Sequence, residues 1–185
     1  WHEALGMLSD MRLRRLEPDE MTYNAAISAC GKGAQWNEAL RMFLGMRLRR
    51  LEPGVIAYNT AITACGTGAR WHEALGMFSN MQFRRLRPTV ITYNAAIGAL
   101  GSGARWCEAF GIFSDMRMCR MDPDEITYVA AFGVCETGAL WHDAVGLFSD
   151  MQLCCLEPSC NAYTAAMSAC EKGSALHEAL GIFSD

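Results

Sequence analysis

One period of 35 residues runs through the whole chain. Tyr23, Tyr58, Tyr93, Tyr128 and Tyr163 stand 35 apart. So do Pro18, Pro53, Pro88, Pro123 and Pro158, and Trp1, Trp36, Trp71, Trp106 and Trp141, with Leu176 in the sixth Trp place. Fixed self-similarity at this spacing marks a repeat architecture, in which each unit covers its apolar face only by stacking on the next. The period divides the 185 residues into full units 20–54, 55–89, 90–124 and 125–159, flanked by part-units 1–19 and 160–185. The expectation is a single array over 1–185. Because it starts and stops partway through a unit, it reads as a piece of a longer one.

Within a unit the apolar residues follow helical spacing. Tyr58, Ala61, Ile62 and Cys65 recur at i, i+3, i+4 and i+7 and make one stripe, which Gly66 and Gly68 end. Trp71, Ala74, Leu75, Phe78 and Met81 make a second. Each unit is therefore two antiparallel helices joined by a short glycine turn, with the proline where the next unit begins. The predicted fold is all-α: a superhelical α-solenoid of stacked antiparallel helix hairpins. The pairs Ala25-Ala26, Ala95-Ala96, Ala130-Ala131 and Ala165-Ala166 would let neighbouring helices approach closely. Cys30, Cys65, Cys135 and Cys170, with Leu100 in the third unit, form a column of small core residues. The Trp column is in phase with Phe43, Phe78, Phe113 and Phe148 and is expected in the core.

With 51% apolar residues a continuous core is affordable and disorder is excluded. The formal charge of −4 lends no support to a nucleic-acid partner. Nine cysteines without an even, closely spaced framework point to a reducing compartment. The longest uncharged run, Pro88 to Ala104, is too short to span a bilayer, and no targeting segment is visible. His72-Glu73 starts like a zinc motif, but Gly76 stands where the second His belongs, and Cys119, Cys154, Cys155 and Cys160 lack Cys-x-x-Cys spacing. No nucleophile with its base, metal set or phosphate loop is present, so no enzyme activity and no cofactor are expected.

The pattern Val90-Ile91-Thr92-Tyr93-Asn94-x-x-Ile97, then Glu108-Ala109-x-x-x-Phe113-x-x-Met116, then Pro123-Asp124, at a period of 35, resembles the pentatricopeptide repeat in its all-standard-length form. The tetratricopeptide repeat fails on its period of 34 and on the offset of Leu75-Gly76 from Trp71. The resemblance implies sequence-specific binding of single-stranded RNA along the first-helix face, one base per repeat, in RNA processing, stability or translation in a chloroplast or mitochondrion. It implies that two side chains choose each base: the residue after the first-helix Tyr, and the residue after the following inter-repeat Pro. The pairs are Asn24 with Gly54, Asn59 with Thr89, Asn94 with Asp124, and Val129 with Ser159; Asp19 and Thr164 are half-pairs. Asn94 with Asp124 matches the family's combination for uracil. Met21, Ile56, Ile91 and Ile126 match its apolar wedge that sandwiches bases, where Asn161 departs, and Lys32 and Lys172 match its phosphate-facing lysine. Two turns depart as well. Arg14-Arg15, Arg49-Arg50 and Arg84-Arg85 stand where the family usually has Gly, and Gly33-Ala34 and Gly68-Ala69 place Gly one residue early.

Plainer readings stand beside these. The post-proline residues are all good helix N-caps, a role compatible with base reading. The arginine pairs suit the negative ends of helix dipoles. The alternatives to RNA binding are a protein-interaction scaffold of the same fold, which would bring in protein partners, and the targeting array of an RNA-processing enzyme whose catalytic domain lies outside this chain.

Overall fold

The computed structural model describes residues 1–173, the Arg12 side chain excepted. Leu176, His177 and the rest of 174–185 lie outside the described residues. The described residues form α1 (His2–Leu13), α2 (Glu20–Lys32), α3 (Trp36–Leu48), α4 (Val55–Thr67), α5 (Trp71–Phe83), α6 (Val90–Ser102), α7 (Trp106–Met118), α8 (Glu125–Gly138), α9 (Trp141–Leu153) and α10 (Cys160–Lys172), with no strand among them. The chain makes two compact units, Trp1–Ala95 and Ala96–Asp185.

In the first unit α2 pairs with α3 and α4 with α5, and α4 also lies against both α2 and α3. The predicted stripes point inward: Tyr58, Ala61, Ile62 and Cys65 are fully buried, as are Tyr23, Ile27 and Cys30 on α2. Phe43 of one hairpin meets Tyr58 of the next edge-on, ring centroids 4.9 Å apart, and Phe78 meets Tyr93 at 5.4 Å. Such geometry adds to the stabilisation from burial alone. The buried Tyr58 hydroxyl donates to Asn80 Oδ1 at 2.6 Å, which joins the two helices of its own hairpin. The small residues do what their size suggests. Gly31 lies so close to α4 that an added Cβ would meet Ala64 Cβ at 3.1 Å.

The second unit repeats the scheme. α8 pairs with α9 and lies beside α10. Phe113 meets Tyr128 at 5.7 Å, and Phe148 meets Tyr163 at 5.1 Å. The Tyr128 hydroxyl and Arg117 Nη2 both donate to Asp150 Oδ2, each at 2.7 Å. Burial, then this carboxylate, hold the Tyr128 phenol well above its ordinary range. The cysteine column is core as expected: Cys30, Cys65, Cys135 and Cys170 are buried free thiols, with Leu100 buried in the third place.

Both kinds of turn close without the glycine the family favours. At the end of α3, Leu51 N–H donates to Met46 O and Arg50 N–H to Arg47 O, both at 3.0 Å, the paired bonds of a Schellman motif. At the end of α2, Gln35 N–H reaches Cys30 O at 2.8 Å and Ala34 N–H reaches Gly31 O at 3.0 Å. The left-handed residue this motif needs is Arg15, Arg50, Arg85, Arg120 or Cys155 after second helices, and Ala34, Ala69, Ala104 or Ala139 after first helices. No described glycine has a positive φ.

The Trp column corrects the expectation of a core position. Trp1 is 36% and Trp106 44% exposed, and Trp36, Trp71 and Trp141 are half-buried. Each lies at the first residue of its helix or just before it, ahead of the inward turn carried by Ala39, Ala74, Ala109 and Ala144. The indoles of Trp1, Trp36 and Trp141 instead cover the glycine that ends the next hairpin's first helix. A Cβ built on Gly33 would lie 2.5 Å from Trp1 Cδ1, one on Gly68 2.3 Å from Trp36 Cδ1, and one on Gly173 2.5 Å from Trp141 Cδ1. The early glycines are thus retained for close approach, not for backbone conformation.

Candidate functional site

Asp19, Gly54, Asp124 and Ser159, each after its proline, open α2, α4, α8 and α10 in extended conformation, and the residues that follow turn successive side chains in different directions. Tyr faces the core. The residue two before it faces out: Met21 is 78% exposed, and Ile56, Ile91 and Ile126 are each 65% exposed. Large apolar side chains so placed gain nothing from folding, so this row is a surface feature that the core does not explain. Asn161, in the fifth place, is also exposed.

The residue after Tyr is half-buried at Asn24, Asn59, Asn94 and Val129, and exposed at Thr164, whose hydroxyl turns back to Cys160 O at 2.7 Å. The post-proline residues cap their helices. Asp19 Oδ1 accepts from Thr22 N at 2.8 Å and Thr22 Oγ1 at 2.6 Å, bonds that hold its carboxyl below the ordinary range. Asp124 and Thr127 form a reciprocal capping box, with Thr127 N 2.8 Å from Asp124 Oδ1 and Asp124 N 3.1 Å from Thr127 Oγ1. Ser159 Oγ accepts from Asn161 N at 3.2 Å. Gly54 caps with no side chain. Side-chain N-capping is therefore a working role of Asp19, Asp124 and Ser159.

The first unit shows how the two columns meet. Asn59 on α4 and Thr89 at the head of α6 come together: Asn59 Nδ2 donates to Thr89 Oγ1 at 3.5 Å. Between them sits Thr92, fully buried, whose Oγ1 donates to Asn59 Oδ1 at 2.6 Å and accepts from Thr89 N at 2.9 Å. Thr89 Oγ1 and Thr92 Oγ1 are 3.2 Å apart. The equivalent pair one repeat earlier is different. Gly54 offers no side chain, Ala57 stands where Thr92 would, and Asn24 Oδ1 is buried without a hydrogen-bond partner. In the second unit Val129 has no polar group, and Ser159 Oγ donates to the Glu125 carboxylate. Glu20 likewise accepts from Gly54 N at 3.3 Å. Asn94 belongs to the first unit and Asp124 to the second.

An open groove of about 290 Å³ runs along α2 and α4 of the first unit, lined by Lys32, Asn59, Thr63, Thr67 and Ile91 among others, and by no carboxylate. It gathers a member of the Asn column, the wedge row and the lysine position in one place. Lys32 is exposed, whereas Lys172 is ion-paired with Glu136 at 2.9 Å. Where lysine is replaced, the hydroxyls fold back on their own helices: Thr67 onto Ala64 O and Thr137 onto Val134 O, both at 2.9 Å, and Ser102 onto Ala99 O at 2.7 Å.

Three participants, Thr92, Glu20 and Glu125, escaped the sequence reading. Thr92 belongs to a column, Thr22, Thr92 and Thr127, that was legible at the 35-residue spacing but interrupted by Ala57 and Ala162. Glu20 and Glu125 reach the post-proline residue of the next repeat, 34 residues on, which helical periodicity does not indicate. Among the described residues no three His, Cys, Asp or Glu side chains are placed to hold a metal ion, and no helix is long and apolar enough to cross a membrane. The ring of His72 lies against that of its neighbour Trp71, centroids 3.3 Å apart.

Models of the PPR repeat family match residues 18–67 and 53–102, and that of the PPR repeat matches 91–121, together more than half of the chain. No curated protein sequence is significantly similar to it. Among solved structures, the pentatricopeptide repeat protein PPR10 from maize is 26% identical with a TM-score of 0.79, over 98% of this chain. PPR10 in complex with an 18-nt psaJ RNA element is 21% identical with a TM-score of 0.82, over 95% of this chain. The chain spans 26% of the length of each PPR10 chain. The PPR domain of Arabidopsis thaliana protein-only RNase P 1, in complex with tRNA, is 17% identical with a TM-score of 0.69, covering 85% of this chain and 83% of that one.

Proposed function

Since this chain belongs to the pentatricopeptide repeat family, we propose that it binds single-stranded RNA sequence-specifically along its first helices, about one base per repeat, without catalysis of its own. The observation that carries the reading is the groove of the first unit, where Asn59, exposed Ile91 and Lys32 line one surface free of carboxylates. An Asn amide supplies a donor and an acceptor for a base edge, and an exposed branched apolar side chain supplies a face for a base to lie on. In this reading Asn24, Asn59, Asn94 and Val129 face successive bases, each with Gly54, Thr89, Asp124 and Ser159 respectively; Asp19 and Thr164 contribute from incomplete pairs. Met21, Ile56, Ile91 and Ile126 separate the bases, and Lys32 meets a phosphate. Lys172, held by Glu136, contributes less. The 35-residue repeats of both compact units act as one array. Its setting is organellar RNA processing, stability or translation. The RNA bound to PPR10 in a structure of the same fold is in keeping with this reading.

The test is selection of the 185-residue chain against random single-stranded RNA. A short enriched motif is expected, with Asn94→Thr moving preference at one base from uracil towards guanine and leaving the others alone. Uniform loss of affinity, or none, refutes base reading by Asn94. A second reading, a protein-interaction scaffold, is favoured by a different row: Leu13, Leu48, Phe83, Met118 and Leu153 at second-helix ends are 81–87% exposed. Selection that enriches no RNA motif favours that scaffold.

A further inference from the structure

The 2.6 Å contact between Thr92 Oγ1 and the Asn59 amide has the length of an O–H···O bond, which places the amide oxygen there and gives the surrounding hydrogen bonds one direction. Thr92 Oγ1 has a single proton, and its 2.6 Å contact with Asn59 Oδ1 uses it. The Thr89 N–H, 2.9 Å away, takes one of the oxygen's lone pairs. The 3.2 Å contact between the two threonine hydroxyls must then run from Thr89 to Thr92. That leaves Thr89 Oγ1 as an acceptor, the role it plays towards Asn59 Nδ2 at 3.5 Å. The three side chains close a ring: Asn59 gives to Thr89, Thr89 to Thr92, and Thr92 back to Asn59. Rings and chains of this kind polarise one another, and breaking one bond weakens the rest. The buried hydroxyl of Thr92 is saturated, and Asn59 keeps one N–H and one carbonyl lone pair for a ligand.

We propose that Thr92 is a specificity-positioning residue, which holds the Asn59 amide of the preceding repeat in one orientation for reading a base. This rests on the reading that Asn59 contacts a base. An amide free to rotate presents donor or acceptor in either order, and so discriminates poorly between bases whose edges differ in that order. An amide held through both its oxygen and its nitrogen presents one order only, and its rotational freedom is lost before binding and not on it. The molecule carries its own comparison. Ala57 supplies no hydroxyl and Gly54 no side chain, and Asn24 Oδ1 is left unpartnered. Asn24 and Asn59 are the same residue at the same place in the repeat, but only Asn59 is held.

The experiment uses the whole chain and an RNA selected from a random pool, with each position changed in turn to the other three bases. Thr92→Val is expected to reduce discrimination at the base facing Asn59 about fivefold, with discrimination elsewhere unchanged. Thr92→Ser should restore it. Ala57→Thr should raise discrimination at the base facing Asn24, a gain that loss of folding cannot imitate. In the free protein, the Asn59 side-chain amide protons should exchange with water faster in Thr92→Val than in the parent or in Thr92→Ser. If Asn59→Ala abolishes discrimination at one base and Thr92→Val leaves it intact, the positioning role is wrong and base reading stands. If Asn59→Ala changes no base preference, base reading by Asn59 fails and the role of Thr92 fails with it. Equal loss at every base in Thr92→Val, with Thr92→Ser no better, would show a capping role alone.

Discussion

Gly68 has a φ of −87°, which any residue adopts, while Ala69 beside it has a φ of 53°, which alanine adopts only with strain. The two residues are on the wrong sides of each other for backbone preference, and the indole of Trp36 is the reason. A methyl group on Gly68 would lie 2.3 Å from Trp36 Cδ1 and 2.9 Å from its Cβ. Packing wins over conformation here. Gly68→Ala should therefore lower unfolding free energy by about 1–3 kcal/mol, the usual result of overpacking. Ala69→Gly should raise it by about 1 kcal/mol by relieving the left-handed strain. Urea unfolding of both variants checks the pair; stabilisation by Gly68→Ala would mean that the indole does not sit where described. The glycine itself was legible in the sequence. Its reason was not, because the residue that demands it is 32 positions away on another hairpin.

At the scale of the element, α2 and α4 divide their surfaces into three: a Tyr–Ala–Ile–Cys stripe inward, the wedge residue outward, and the Asn at the boundary between them. The places of the wedge and the Asn came from the family resemblance; the inward stripe was legible from the spacing i, i+3, i+4, i+7. The cysteines report on it. Cys30, Cys65, Cys135 and Cys170 are buried, while Cys107, Cys119, Cys154, Cys155 and Cys160 are exposed. A thiol reagent at pH 8 should label the five exposed cysteines at once and the four buried ones only on unfolding. Burial pushes the Cys65 and Cys135 thiols from 9.0 up to about 12, with the nearby Glu73 and Asp143 carboxylates adding to it. The folded chain thus keeps protons that the unfolded chain releases near pH 9. Stability from these thiols is intact below that pH and declines as pH rises towards 12. Cys65→Ala should flatten part of the decline, as read from thermal midpoints between pH 8 and 11. The second helices were read less well. Their inward stripe starts at the alanine, so the Trp at the helix start falls on the rim.

For the molecule as a whole, the formal charge of −4 and the scarcity of lysine on the first-helix face mean that the proposed RNA binding would rest on base contacts more than on phosphate neutralisation. With Lys32 exposed and Lys172 engaged by Glu136, the proposed site would counter one or two phosphates. Single-stranded RNA releases about 0.7 counterion per neutralised phosphate. A plot of log affinity against log salt should then have a slope no steeper than about −1.5, measured by titration between 50 and 300 mM salt. A slope of about −4 or steeper would reveal a cationic surface other than the groove described.

The sequence by itself determined the repeat, its helix pairs, the places of the turns and the Tyr and Cys columns of the core. All of these follow from local periodicity, which acts over one or two helical turns. Only the tertiary structure decided that the tryptophans lie on the rim, that alanine and arginine take the left-handed turn positions, and that Thr92 holds Asn59. The first and last of these are contacts between hairpins, about 30 residues apart in the chain, and depend on the register in which one helix stacks on the next. A period of 35 shows that hairpins stack; it does not say which side chain meets which across the seam.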